Sequence, residues 1–286
     1  MLSGGAELIL SASTEPDLGS RPLALDALVP VVAADNPVAQ ISSADLARAL
    51  SGEVANWSEI GGPDMPLVLH GLPATNGLQR ALSGRLGREV AATEVHPDFA
   101  TLADAVARDP WALAVTARAM ASKARVITLT DSCGFPLLPS TLAVKAEDYP
   151  LSLPLHLLTP RRRLPLMARE FLEFLSLPQA QQVIAAQGYV DRDAERQPMT
   201  ADGLRLINAI QGAGEETTLA DLKRLVDVMD GADRLSFTFR FEDGSSTLDA
   251  HSRGNVEDLA RLLESDGFLS EAMILAGFSD GSGAAS

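Results

Sequence analysis

Two spacings of apolar residues alternate along most of this chain. Compact apolar runs bounded by turn-forming residues predict strands, whereas apolar residues three or four positions apart predict helices. The predicted strands are 6–13, 23–34, 67–69, 111–117 and 124–130, the predicted helices are 42–52, 98–110 and 165–187, and 138–159 is expected to be extended. Strands that alternate with helices predict an α/β fold with parallel or mixed sheets.

Residues that are suited to begin or end a helix support parts of this pattern. Ser42 or Ser43 is suited to cap the helix 42–52, and Gly52 is suited to end it. Between this helix and the next strand lies a compact loop with one large aromatic residue, Trp57. We expect Trp57 to fix the loop by burial, the alternative being that it stacks on a ligand.

Segment 67–82 joins a strand to a helix through a short polar turn. The apolar run ends at Leu69, and helical spacing begins after Thr75, Asn76 and Gly77. The first amides of a helix have no intrahelical partner and carry partial positive charge, so such a turn favours an anion. Two interpretations remain open here: Thr75 only caps the helix, or the turn caps the helix and also contacts a ligand.

The pattern changes near residue 192. A polar segment begins there, and together with a helix at 215–230 it makes a region of linker and helix at 192–232. The segment 234–241 then alternates Leu and Phe with polar residues, which predicts a strand with one buried face. A helix at 255–265 and a strand at 272–281 complete a β-α-β order, which predicts the start of a second, small domain at 233–286.

Composition narrows the classes of function. The chain has 286 residues and a net charge of −15, which argues against nucleic acid as a partner. The four histidines show no metal-ligand spacing, and the one cysteine, Cys133, is interpreted as structural rather than reactive. No nucleophile elbow, phosphate loop or dinucleotide fingerprint is present, so we predict a protein that is not an enzyme and has no cofactor.

Ordered pieces of residues 5–191 resemble the phosphate-type substrate-binding proteins of bacterial ABC transporters. They are an Asn36-Pro37 turn after a strand, the helix through Leu50, an Asn56-Trp57 turn and a Gly61-Gly62-Pro63 step, followed by "AEDYPLS" and "FLEFLSLPQAQQVIAAQGYV". In the later part, "RLSFTFRFEDGSSTLD" and "LAGFSDGSG" resemble the beginning of an OmpA-like peptidoglycan-associating domain. The two modules occur together in one family of envelope proteins.

The resemblance implies a two-lobe type II periplasmic-binding-protein fold with an incomplete first lobe, followed by a partial OmpA-like β-α-β segment. It places lobe one at 1–33 and 159–191 and lobe two at 34–147, within a substrate-binding domain at 1–191. The crossing strands are expected near 24–33 and 148–158. Because the family begins with further elements and a secretion signal, the resemblance also implies a fragment truncated at both ends.

The function implied is non-catalytic binding of phosphate or a related small oxyanion in the periplasm or cell envelope, with an ABC transporter permease as a possible partner. The ligand residues it indicates are Ser11, Ser13, Thr75, Asn76 and Gly77. Ser13 stands where the family often has arginine, and no arginine or aspartate precedes the turn, so the donors are poorer than the family norm. In the OmpA-like part Asp280 matches the residue that grips peptidoglycan, but its arginine partner lies downstream in the family, so weak binding or none is expected.

An alternative from another class is an envelope scaffold or protein-interaction module that has lost small-ligand binding. The two hypotheses differ in whether the predicted ligand residues converge on one point, and an enzyme on the same fold would need a titratable pair in the cleft.

Two further features stay open. Asp26 either faces the cleft or makes a hinge hydrogen bond, and the basic run 161–163 is either a solvated helix approach or a docking contact.

Overall fold

The computed structural model describes residues 8–132, 134–199, 217–242, 244–264 and 271–277. The chain forms two compact units, the first made of Met1–Asp193 with Thr238–Val256 and the second of Ala194–Phe237 with Glu257–Ser286. The candidate site lies in the first unit. The lobe boundaries inferred from the sequence stay a prediction.

Short strands and helices follow one another as the pattern predicts. The strands are β1 Ile9–Ser11, β2 Leu18–Val32, β3 Gln40–Ser42, β4 Val68–Gly71, β5 Glu94–Val95, β6 Ala112–Ala117, β7 Arg125–Val126, β8 Thr128–Thr130, β9 Pro136–Leu137, β10 Ser152–Pro160, β11 Arg196–Pro198 and β12 Asp233–Leu235. The helices are α1 Ser43–Leu50, α2 Gly77–Leu86, α3 Phe99–Val106, α4 Thr141–Lys145, α5 Leu166–Leu175, α6 Pro178–Ala186, α7 Leu219–Met229 and α8 Ala250–Glu264, with 3-10 turns at Trp57–Ile60 and Arg118–Met120.

The long strand β2 connects the two ends of the main sheet. The strand order of that sheet is β1-β10-β2-β6-β4-β5, and β7 also pairs with β2. The first part of β2 runs antiparallel to β10, from Leu18 to Ala27, and the remainder pairs with β6 from Leu28 to Val31. Strand β4 is parallel to both of its neighbours, β5 and β6. The predicted α/β fold with a mixed sheet is therefore confirmed.

Side-chain caps explain where several helices begin. The Ser42 hydroxyl accepts a hydrogen bond from the Asp45 amide at 3.0 Å, so Ser42 rather than Ser43 is the cap of α1. Asp98 caps α3 in the same way through the Thr101 amide at 2.8 Å. Gly52 follows α1 with a φ of +77°, a left-handed conformation that glycine adopts without strain. The expected start and end of this helix are confirmed.

Trp57 is fully buried, and its indole Nε1 donates to the Trp111 carbonyl at 2.9 Å. The residue before it, Asn56, caps the 3-10 turn and forms a capping box with Glu59. At Gly62 the backbone passes so close to Trp57 that a Cβ would lie 2.9 Å from the Trp57 Cβ. The prediction that Trp57 fixes this loop by burial is confirmed.

The expectation that 138–159 is extended throughout is wrong in its first half. Ser140 caps helix α4 through the Ala143 amide, and the strand β10 begins only at Ser152. The three prolines of this segment, Pro139, Pro150 and Pro154, suggested an extended chain, but none lies inside the five-residue helix. A short helix of this kind leaves little periodicity for sequence reasoning to detect.

The predicted β-α-β pattern after residue 233 is not observed in the described residues. Strand β12 ends at Leu235 and pairs with β11, while Phe241 is 59% exposed. The residues 271–277 form no strand, and α8 begins at Ala250, earlier than predicted. A strand needs a hydrogen-bonding partner, and the alternation of apolar residues by itself does not supply one. Thr238–Val256, called the strap below, belongs instead to the first compact unit.

The described helices include none that is long and apolar enough to span a bilayer.

Candidate anion-binding site

A cavity of about 780 Å³ opens in the first unit beside the start of α2. One wall comes from β1 and the residues after it, and another from the first turn of α2. The polar and charged lining residues are Ser11, Glu15, Asp17, Asp26, Asn76, Arg80 and Tyr189, and apolar side chains such as Phe99 and Leu153 line other parts. A mostly apolar wall with a few convergent polar groups is the usual composition of a small-molecule site.

Asn76 is the cap of α2. Its Oδ1 accepts hydrogen bonds from the Leu78 amide at 2.9 Å and the Gln79 amide at 3.4 Å. The Asn76 side-chain amide and the backbone N–H of Gly77 are the donors at this helix end that the cap does not use, among the residues that the structure describes. Both residues line the cavity, so the helix end presents N–H groups and partial positive charge to it.

Thr75 does not cap the helix, and that interpretation is corrected. The Asn76 side chain reaches the amides two and three residues ahead, which is the geometry of the cap position. Thr75 is exposed and does not line the cavity.

The facing strand contributes Ser11. Its hydroxyl lines the cavity and accepts a hydrogen bond from the Ser13 amide at 3.1 Å. The Ser13 side chain is exposed, lies 3.4 Å from the Ser11 hydroxyl and is not part of the lining. Of the five ligand residues indicated by the sequence, the cavity therefore brings together Ser11, Asn76 and Gly77, and leaves Ser13 and Thr75 outside.

Arg80 is a cavity residue that the sequence reasoning missed. It lies four residues after Asn76 on α2, and residues at this spacing share a face of a helix. The resemblance directed attention to the residues before the turn, where no arginine stands. The helical spacing after the turn was the signal that could have found this guanidinium.

Carboxyl groups also line the cavity. Glu15 and Asp17 are exposed, whereas Asp26 on β2 is only 1% exposed. Burial raises the pKa of Asp26 above its usual value, and backbone amides, including that of Ala27 at 2.7 Å, act against the rise. Asp26 therefore lines the cavity, and its Oδ1 accepts a hydrogen bond from the next amide of its own strand. A hinge role for Asp26 stays a prediction.

Other candidates have simpler outcomes. Arg161 donates to the Pro16 carbonyl at 2.7 Å, which is a contact within the first unit. No cluster of three potential metal ligands occurs among the described residues. Cys133 and Asp280 lie outside the described residues.

The first unit is thus an α/β unit in which the start of a helix and a strand line one cavity. The chain belongs to the PBP superfamily: the model of the PBP superfamily domain matches residues 11–178. The periplasmic-binding-protein part of the fold class inferred from the sequence is therefore confirmed, whereas the OmpA-like segment is not.

Relatives support this membership. The phosphate-binding protein PstS of Bacillus subtilis (strain 168) is 27% identical over 170 residues, which is 57% of this chain and 55% of that protein. The chain thus spans about half the length of this curated relative.

Two solved structures share the fold. An ABC-type phosphate transport receptor from Vibrio cholerae has a TM-score of 0.56 at 21% identity, over 65% of this chain and 80% of that one. A putative phosphate ABC transporter substrate-binding protein from Clostridium perfringens, solved with bound phosphate, has a TM-score of 0.58 at 16% identity, over 65% and 79%.

Proposed function

We propose that this protein binds phosphate or a related small oxyanion in the periplasm, without catalysis, and passes it to an ABC transporter permease. The observation that carries the proposal is that Ser11, Asn76, Gly77 and Arg80 line one cavity at a helix start. A hydroxyl, a side-chain amide, a backbone N–H and a guanidinium are all donors, as an oxyanion requires. The named functions of the relatives agree with this ligand class.

The acidic lining favours a protonated oxyanion. Asp26, Asp17 and Glu15 border the same cavity, and an ionised carboxylate only accepts hydrogen bonds. Hydrogen phosphate has a proton to donate to such a group, whereas sulfate at neutral pH has none. Phosphate is therefore the expected ligand, and the carboxylates act against sulfate.

Calorimetry with the whole chain tests the ligand. Phosphate, sulfate and molybdate are titrated separately at neutral pH into the protein after exhaustive dialysis. Saturable heat with phosphate and little with sulfate supports the proposal. The absence of heat from all three ions contradicts it.

The exposed apolar face of α5 favours a second function, that of an envelope scaffold or protein-interaction module. Met167 is 84% exposed, Phe171 46% and Phe174 49%, and their spacing places them on one side of the helix. Exposed apolar groups of this kind mark interaction surfaces more often than isolated ones do. This function gains support if no oxyanion binds.

The finer part of the proposal is association with the cell wall through the OmpA-like segment 233–286. Its support is the sequence resemblance, with Asp280 at the position that grips peptidoglycan. A pull-down with purified peptidoglycan compares the chain with Asp280→Ala. Weak retention that the substitution abolishes supports wall association, and equal retention of both proteins removes Asp280 from it.

A further inference from the structure

The strap Thr238–Val256 packs as a part of the binding unit, although the sequence assigns it to a different module. The structure describes all of it except residue 243. Its two ends are joined internally, because the Asn255 side-chain amide donates to the Thr238 carbonyl at 2.9 Å. The buried Ser252 hydroxyl accepts from the Arg240 amide at 2.7 Å, so the strap has a defined shape of its own.

One end of the strap is fixed to the residues that follow α4. The Thr238 hydroxyl donates to the Ala146 carbonyl at 2.6 Å, and the Arg240 guanidinium donates to the Glu147 carbonyl at 2.7 Å. The Nε of Arg240 also lies 2.7 Å from Glu147 Oε2, in an ion pair whose carboxylate is only 10% exposed. Three polar contacts therefore meet at Ala146 and Glu147.

The other end of the strap lies against β2. Gly254 in α8 comes so close to Pro22 that a Cβ at this position would overlap the Pro22 ring. Arg192 donates to the Pro22 carbonyl at 2.8 Å and approaches the same glycine. The strap thus contacts both the loop before β10 and the first half of β2.

Glu147 has a backbone conformation that a glycine would adopt more easily. Its φ is +53°, and the residue follows Ala146, the C-cap of α4, at the position that glycine usually occupies. A left-handed φ is unfavourable for a residue with a side chain. The side chain of Glu147 makes an ion pair with Arg240 that a glycine at this position could not make.

Arg85 joins the helix of the ligand site to the segment that follows Glu147. Arg85, in the last turn of α2, donates to the Ser152 carbonyl next to this loop. Arg85 and Arg240 both favour the ionised form of Glu147, whose pKa burial raises. Helix α2 is about 15 Å long and carries Asn76 at its other end. The far end of α2 and the strap are therefore both bonded to one short stretch of chain, 146–152.

We propose that docking of the strap at Glu147 and Pro22 holds α2 in place and thereby raises the affinity of the cavity for its oxyanion. This inference rests on the proposed function. Coupling between two sites is reciprocal, so ligand in the cavity also stabilises the docked strap. The strap continues into the second unit at residues 237 and 257. Ligand binding in the cavity therefore stabilises a segment that is joined directly to that unit.

The test uses two substitutions that weaken the contact from opposite sides, and a matched control. Arg240→Ala removes the guanidinium, and Glu147→Gly removes the carboxylate at a φ that suits glycine. Arg253→Ala is the control, because Arg253 lies in the strap with the same 54% side-chain exposure. Its hydrogen bond to the Leu248 carbonyl and its ion pair with Glu242 both lie within the strap. Phosphate affinity is measured by calorimetry, and amide hydrogen exchange of 238–256 by mass spectrometry with and without phosphate.

We expect Arg240→Ala and Glu147→Gly each to weaken phosphate binding at least about fivefold, the lower end of usual coupling energies. The double variant should lose about as much affinity as Arg240→Ala alone, since Arg240→Ala already removes the ion pair that Glu147→Gly breaks. Arg253→Ala should bind as the wild type does. In the wild type, phosphate should slow exchange in the strap, and Arg240→Ala should speed it.

The other outcomes are distinguishable. If strap exchange accelerates in Arg240→Ala while phosphate affinity stays the same, the coupling is wrong and the proposed function stands. If neither exchange nor affinity changes in either variant, the docking contact is wrong. If the wild type binds no oxyanion, the proposed function fails and the coupling fails with it.

Discussion

His70 and His96 stack their rings at the ends of two parallel strands, with Nδ1 of His70 2.9 Å from Nε2 of His96. The His96 amide also donates to the Gly71 carbonyl at 2.9 Å. Only one of the two facing nitrogens can carry the shared proton, so the pair is stable when at least one ring is neutral. His70 lies one residue before the end of β4, and the turn that follows this strand leads to Asn76. The histidine pair therefore lies close in sequence to the candidate site.

Replacing His96 tests the origin of the low basicity of His70. Burial lowers the pKa of His70 below 6.5, the charge of His96 lowers it further, and Asp109 and Glu94 act in the opposite direction. We expect His96→Ala to raise the pKa of His70 towards 6.5, because it removes a like charge and opens the ring to water. An NMR titration of the imidazole protons measures this. His156 is the internal control, and an unchanged pKa for His70 would contradict the assignment.

Stability should fall as the pH drops below about 6.5 because two other histidines are buried in the neutral state. Burial lowers the pKa of His156 to about 4 and that of His251 to about 3. Between these values and 6.5 the unfolded chain binds protons that the folded chain does not, so acidification favours unfolding. Each histidine contributes up to about 1.4 kcal/mol per pH unit in that window.

The measurement is urea unfolding of the wild type and His251→Gln between pH 7 and pH 4.5. The substitution should flatten the dependence of the free energy of unfolding on pH, because one titrating group is lost. Comparing the two proteins cancels the carboxylates that titrate in the same range. Equal slopes would mean that His251 is protonated in the folded protein as readily as in the unfolded one.

Trp57 should be the most sensitive of the loop residues to truncation. It is fully buried and donates its indole N–H to the Trp111 carbonyl. Trp57→Ala should cost about 3–5 kcal/mol of unfolding free energy, as is usual for a buried aromatic residue. Trp57→Phe should cost less, since it keeps most of the volume and loses the hydrogen bond. Chemical denaturation gives both values, and equal costs would show that the hydrogen bond rather than the packing dominates.

The local parts of this fold could be predicted from the sequence, since their causes are local. Ser42 lies next to the helix that it caps, and Trp57 lies in an otherwise polar loop. The predicted start of α2 was correct within one residue, because turn residues are followed there by helical spacing of apolar residues. Membership of the PBP superfamily followed from the order of several such pieces rather than from any single one.

The parts that sequence reasoning missed depend on contacts between distant residues. The strap contacts Ala146 and Glu147, about ninety positions earlier in the chain, and its alternating phenylalanines suggested a strand instead. Similarly, Ser13 and Thr75 sit beside Ser11 and Asn76 in sequence but outside the cavity lining. Which of two adjacent polar residues faces a cavity depends on how the walls pack, and neither residue's own neighbours determine it.

Arg80 should supply the positive charge of the site. It is the arginine of the cavity lining and stands one turn into α2. Arg80→Ala should weaken phosphate binding about tenfold, the loss of one charge-assisted hydrogen bond. Arg88→Ala is the control, because Arg88 pairs with Glu53 and does not line the cavity. Calorimetry in low salt compares the two, and equal affinities would remove Arg80 from the site.

Asn76 allows capping and ligand binding to be separated by one substitution. Aspartate caps helices as well as asparagine and suits the positive end of the dipole, so Asn76→Asp should keep the melting temperature of the wild type. It replaces the side-chain N–H donor with a carboxylate at the cavity wall, so phosphate binding should fall more than tenfold. Asn76→Ala loses the cap as well and should cost about 0.5–2 kcal/mol of stability. Thermal melts and calorimetry on both variants decide the question: if Asn76→Asp binds phosphate as well as the wild type, Asn76 is a cap alone and the donors of the site lie elsewhere.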